Sequence, residues 1–241
     1  MERRKVIKSG LVLIASATVA SIFRPAGAAV KVFTGGERWL SPTGPVPRAV
    51  DASKRVFFTE REAELVQAVY DRLIPADELS VSASQAGCVI FTDNQLAGPY
   101  GAAQHRYKLG PIVNGTPEQG EQTLLTPADI YRKGLAAMDR HCQQRYGKSF
   151  TELTPDQQDH YLEQMEAGQF NYGVFSSNKL FSAMLTNVKE GFLADPLYGG
   201  NKNMVGWKMI GFPGARYDYR DYINIKGRRV ELEPISLLNI S

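Results

Sequence analysis

Three times in this chain a threonine stands just ahead of a run of apolar residues at helical spacing, with an acid or a glutamine three places on: Thr59 with Glu62, Thr126 with Asp129, and Thr154 with Gln157. Threonine takes up a first-turn backbone N–H, and an acid favours the positive end of the helix dipole. Pro127 and Pro155 fit a first turn, where no backbone donor is needed. The apolar residues behind these starts recur every three or four positions: Leu65, Val66, Val69, Leu73 and Ile74; Ile130, Leu135, Met138 and Cys142; Tyr161, Leu162 and Met165. Pro75, Gly147 and Gly168 close the three segments. The spacing therefore predicts helices over 59–74, 126–147 and 154–168, the last two forming an α-hairpin. Two further segments read the same way. Residues 84–97 have Ser84 as candidate cap, with Val89, Ile90, Phe91 and Leu96 as the apolar patch. Residues 177–195 carry Leu180, Phe181, Met184, Leu185, Val188 and Phe192. No stretch of 59–195 keeps the alternation of a strand, so the fold class is mainly α: a single compact helical domain with long irregular loops.

The flanks are of another kind. Residues 29–57, with Pro42, Pro45, Pro47 and three glycines, read as an extended arm. Residues 98–125 have no periodicity, and a loop beyond about 12–15 residues is often functional. Residues 196–241 form a tail dense in glycine and aromatics. Tyr198, Trp207, Phe212, Arg216, Tyr217 and Tyr219 are of the types enriched at protein interfaces. Two readings of them stand side by side: a docking surface for a partner, or a cover folded back on the core. The organisation is thus 1–28, 29–57, 58–195 and 196–241.

The first of those segments has the grammar of a signal peptide. Arg3, Arg4, Lys5 and Lys8 precede an uncharged stretch from Leu11 to Phe23, and Ala26-Gly27-Ala28 supplies small residues for cleavage between Ala28 and Ala29. The stretch is too short for a membrane span of about 20 residues. Arg3-Arg4-Lys5-Val6-Ile7-Lys8 resembles the twin-arginine consensus, with Glu2 where Ser or Thr is usual. That route exports folded chains across a bacterial inner membrane, so the expected location is the periplasm.

Charge then reads differently. The whole chain has 28 basic and 25 acidic residues; residues 1–28 hold five and one of these, leaving 23 and 24. A mature chain near −1 carries no electrostatic footprint for nucleic acid. Cys88 and Cys142 are too few for a zinc or iron–sulfur centre. In a periplasm they are free to pair with each other, to bridge to another chain, or to remain buried thiols.

Motifs for chemistry are scarce. There is no G-x-S-x-G elbow, no HExxH, no C-x-x-C-H, and no glycine-rich turn in a strand–turn–helix setting. His141 and His160 fall in polar helices; His105 lies in the long loop. Asp71, Asp77, Asp93, Asp195 and Asp218 are available for a paired-carboxylate site, which leaves a stand-alone hydrolase open as an alternative, as the exposed aromatics leave a sugar-binding module.

Several segments carry a resemblance: YDRLIPAD (70–77), AGCVIFTDNQLAGPYG (86–101), LTP (125–127), KEGFLADPLYGGNKN (189–203) and GWKMIGFPGARYDY (206–219). Over about 55–220 the chain resembles the gluconate 2-dehydrogenase subunit 3 family, the small or gamma subunit of membrane-bound flavin-dependent sugar and polyol dehydrogenases. The resemblance implies partners: a large FAD-binding catalytic subunit similar to glucose–methanol–choline oxidoreductases, and a multihaem cytochrome c subunit. It implies that the small subunit holds neither cofactor nor catalytic residue, and that its twin-arginine signal serves the flavoprotein as well.

Overall fold

A computed structural model of the chain describes residues 48–107, 110, 113, 115–116, 123–216, 218–228 and 230–239. Among these it forms helices α1 (Glu60–Leu73), α2 (Cys88–Ala97), α3 (Pro127–Tyr146), α4 (Pro155–Glu166), α5 (Ser177–Leu193) and α6 (Val205–Ile210), with short 3-10 turns between them. The described residues contain no strand, only two isolated bridges, Asn171 with Ser176 and Gly214 with Ile235.

The three threonine starts each close a reciprocal box. Thr59 accepts from the Glu62 N–H while the Glu62 side chain accepts from Thr59, and the pairs Thr126–Asp129 and Thr154–Gln157 do the same. The second expected helix begins later than its sequence suggests. Ser84 does not cap it; the Ser84 N–H and Oγ instead donate to Asp71 on α1, at 2.9 and 2.7 Å. The start moves to Cys88, behind Gly87 at φ +86°.

Helix α5 is the centre of the molecule and packs on α1, α2, α3 and α4. Its Leu180, Met184 and Val188 are fully buried, against a core that includes Val66, Val69, Leu135, Met138 and Met165. The two Thr-Pro helices do meet, with His141 Nδ1 3.1 Å from the Tyr161 hydroxyl, but each packs more broadly on α5 than on the other. The hairpin is therefore splayed around a third helix.

Buried polar groups are joined in a chain through this core. The Tyr70 hydroxyl lies 2.9 Å from Thr92 Oγ1 and 3.0 Å from the Tyr131 hydroxyl, which donates to Asn187 Oδ1 at 2.9 Å. Four helices are tied together this way. Burial pushes both phenols up, so each stays protonated.

The described end of the arm is clamped to α2. The fully buried Asp93 carboxylate accepts from the backbone N–H groups of Val56, Phe57 and Phe58, at 2.6, 3.0 and 2.6 Å. Arg132 adds to the clamp: its guanidinium sits 4.0 Å over the Phe57 ring and donates to the Phe57 carbonyl and to Glu62.

Candidate partner interface

The C-terminal end of α5 is where the arm, the tail and α6 come together. Asp195 caps the turn that follows the helix, accepting from the Leu197 N–H at 2.9 Å. The same carboxylate accepts from the Ser236 hydroxyl at 2.8 Å and the Leu237 N–H at 2.9 Å. The Leu197 carbonyl in turn accepts from the Val50 N–H at 3.1 Å. One turn thus fastens both flanking segments.

Glycine makes this corner close-packed. A Cβ on Gly200 would stand 2.1 Å from the Gly191 carbonyl oxygen, and one on Gly206 2.0 Å from that of Phe192. Backbone touches backbone at both points, and no larger residue fits. Asn201, fully buried at φ +45°, stitches the corner: its Nδ2 donates to the Ala194 carbonyl and its Oδ1 accepts from the Gly206 N–H, each at 2.8 Å. The left-handed backbone there is held by those two bonds.

Trp207 is drawn inward by the same corner. It is 6% exposed, and its indole N–H donates to the Leu193 carbonyl at 2.7 Å, satisfying an acceptor that the end of α5 leaves free. Trp207 is therefore part of the fold's own packing, although its residue type suggested docking. Phe212 packs edge-on against it, 5.2 Å between centroids. Beyond Trp207 the chain is exposed: Met209 is 44% exposed, Ile210 56% and Phe212 44%, and Leu193, whose carbonyl Trp207 bonds, is also exposed. Lys202 and Lys208 are both exposed and without a salt-bridge partner among the described residues.

The other interface candidates fall on either side. Tyr198 and Tyr219 are exposed. Arg216 is half-buried and donates to the Glu233 carbonyl at 2.7 Å, pinning the last segment against residues 213–216. Tyr217 lies outside the described residues, as do the targeting residues Arg3, Arg4 and Lys8 and the cleavage pair Ala28 and Ala29. Sequence reading missed Leu193, Met209 and Ile210. A helix of six residues is too short to show a period, and its single tryptophan drew attention to the buried side.

Cys88 and Cys142 are free and buried, on α2 and α3. Burial pushes the Cys88 thiol up to about 12 and the Cys142 thiol up to about 11, so neither is a nucleophile at neutral pH. His141 is half-buried, against Phe170 and the Tyr161 hydroxyl. Burial, and then the Arg145 charge, lower it further below its ordinary value.

The five aspartates are each engaged locally. Asp71 holds Ser84, Asp77 the turn at Leu79 and Ser80, Asp93 the arm, Asp195 the tail, and Asp218 the Arg220 side chain. The structure brings no two of them onto a shared partner. A groove of about 710 Å³ between α1, α3 and the turn at 149–152 is acidic, with Glu60, Glu64, Asp139 and Glu152 on its walls. It is crossed by the ion pair of Arg61 with Asp139 at 2.7 Å, and Glu62 on its wall pairs with Arg132. Burial raises the Glu62 carboxyl, but the donors from Arg132 and Thr59 outweigh it and hold the group below its ordinary value. Among the described residues no three His, Cys, Asp or Glu side chains converge as metal ligands, and no helix is long and apolar enough to cross a membrane.

A family model described as gluconate 2-dehydrogenase subunit 3 matches residues 60–214, well over half of the chain. That span runs from the first residue of α1 to the glycine just beyond Phe212. No curated protein and no solved structure matches the chain.

Proposed function

The chain belongs to the gluconate 2-dehydrogenase subunit 3 family, and on that footing we propose that it is the non-catalytic small subunit of a periplasmic, membrane-associated flavin-dependent dehydrogenase acting on gluconate or a related sugar or polyol. The FAD sits in a partner of the glucose–methanol–choline type, and a multihaem cytochrome c subunit takes the electrons. This chain escorts and stabilises the flavoprotein through twin-arginine export.

The observation that carries this reading is the extent of the family match, 60–214, which takes in the six helices of the described residues and the corner at the end of α5. Two features agree with it. The five aspartates Asp71, Asp77, Asp93, Asp195 and Asp218 each bond a different part of the chain. The twin-arginine resemblance at residues 3–8 gives an exported folded chain, a suitable vehicle for a flavin-loaded partner.

The test is co-expression with the flavoprotein subunit. Full-length chain is expected to co-purify with it in a stable complex, and gluconate oxidation is expected in the complex but not in the chain alone. Turnover of a sugar acid by the isolated chain would overturn the proposal, as would flavoprotein that is exported and active without this chain.

A further inference from the structure

We propose that Tyr161, with His141 as the acceptor of its proton, is a redox-active tyrosine: the place where a one-electron oxidation of this chain comes to rest. The site stands apart from the subunit reading above and belongs to the chain by itself.

The geometry singles out this phenol. Tyr161 on α4 is fully buried. Its hydroxyl lies 3.1 Å from His141 Nδ1 on α3 and 3.1 Å from the Tyr172 hydroxyl, and the Cys142 thiol is hydrogen-bonded to it as well. A phenol has one proton to give and can also accept. The nearly buried Tyr172 hydroxyl has Tyr161 as its one partner among the described residues, so it donates there. That leaves the Tyr161 proton for Nδ1, with the imidazole carrying its own proton on Nε2. Burial, and then the Arg145 charge, keep that imidazole neutral and able to accept. The other buried phenols lack such a base: Tyr70 meets Thr92 and Tyr131, and Tyr131 meets Asn187. An oxidised phenol is a far stronger acid than a neutral one, so a hole settles where a base is already in place.

The neighbours supply a way in and a cover. The half-buried Tyr146 ring stands 6.4 Å from that of Tyr161. The Arg145 guanidinium lies 5.4 Å over the Tyr146 ring and 5.7 Å over the Phe170 ring. A cation is attracted by an electron-rich ring and disfavours a hole on it, so the hole passes inward. Phe150 and Phe170 cover Tyr161, at 5.8 and 5.0 Å between centroids, and keep a second chain away from it.

One electron leaves Tyr161 by way of Tyr146 for an oxygen- or nitrogen-centred radical at the surface, which becomes its anion. The proton moves from Oη to Nδ1, leaving a neutral phenoxyl radical beside an imidazolium. A donor of the hydroquinone class returns the electron, and the proton goes back to Oη.

The experiment oxidises the full-length chain with azidyl radicals in pulse radiolysis. In the parent the phenoxyl signal is expected to decay slowly and with first-order kinetics, with little dityrosine formed. Tyr161→Phe and His141→Gln, each with unchanged circular dichroism, should strand the radical on exposed tyrosines, where chains couple in pairs. Decay then becomes second-order and dityrosine fluorescence rises severalfold. Tyr70→Phe, which removes a buried phenol that has no base, is the control and should behave as the parent does. Second-order decay in the parent, or parent-like decay in either Tyr161→Phe or His141→Gln, would overturn the proposal. The parent alone gives an independent check that needs no variant to fold. Electron paramagnetic resonance of the freeze-quenched radical should show a coupled proton at the phenoxyl oxygen that exchanges in heavy water, and a radical without one is not the Tyr161–His141 pair.

Discussion

Three backbone amides converge on the Asp93 carboxylate, and Asp93→Ala would leave all three without an acceptor in a buried place. Hydrogen bonds to a charged group contribute roughly 1.5–3 kcal/mol each and are not additive, so a loss of about 3 kcal/mol is expected in urea unfolding. Trypsin should then cut faster at Lys54 and Arg55, because the clamp that holds their neighbours has gone. The two thiols give a pH signature. Each is protonated in the fold well above the ordinary value of 9.0, while the unfolded chain ionises there. Stability is therefore complete below pH 9 and falls as pH climbs from 9 toward 11 and 12. Replacing both cysteines with alanine should remove the part of that fall between pH 9 and 10, below the range where the buried tyrosines contribute. Thiol titration with a chromogenic disulfide should be slow on native chain and reach two groups per chain in denaturant.

At the scale of elements, the glycine corner separates two costs that a glycine-to-alanine change can carry. Gly200→Ala forces a methyl onto the Gly191 carbonyl and should cost upwards of about 3 kcal/mol. Gly147→Ala meets nothing within 4 Å and bears only the penalty of its left-handed backbone at φ +66°, about 1–2 kcal/mol. Thermal unfolding of the two variants measures the difference. This corner also marks the limit of what the sequence disclosed. Helices α1, α3 and α4 were legible because their threonine boxes are local, complete within four residues. Helix α2 was misplaced by four residues at its start, because Ser84 is claimed by an aspartate 13 positions earlier. Helix α6 was illegible, since what holds it is Trp207 reaching a carbonyl 14 residues back. The aromatic tail could not be divided into packing and display from residue type alone. Trp207 and Phe212 are neighbours of like character, and only the fold turns one in and the other out.

For the whole molecule, the proposed escort makes the paired arginines serve two chains. Arg3→Lys together with Arg4→Lys should leave gluconate dehydrogenase activity in the cytoplasmic fraction, and a signal grafted directly onto the flavoprotein should restore its export without restoring its stability. Fractionated activity assays distinguish the two. The turn at 195–197 has a further consequence. Val50 is bonded to Leu197 and Leu237 to Asp195, two positions away, so the chain path between them is nearly a closed ring. Rings of this kind tolerate being cut elsewhere. A short linker from residue 237 to residue 50, with new termini opened at the exposed Gly147–Lys148 step, should give a circular permutant that folds with the same helices, and the order in which the helices are synthesised would then be free to vary.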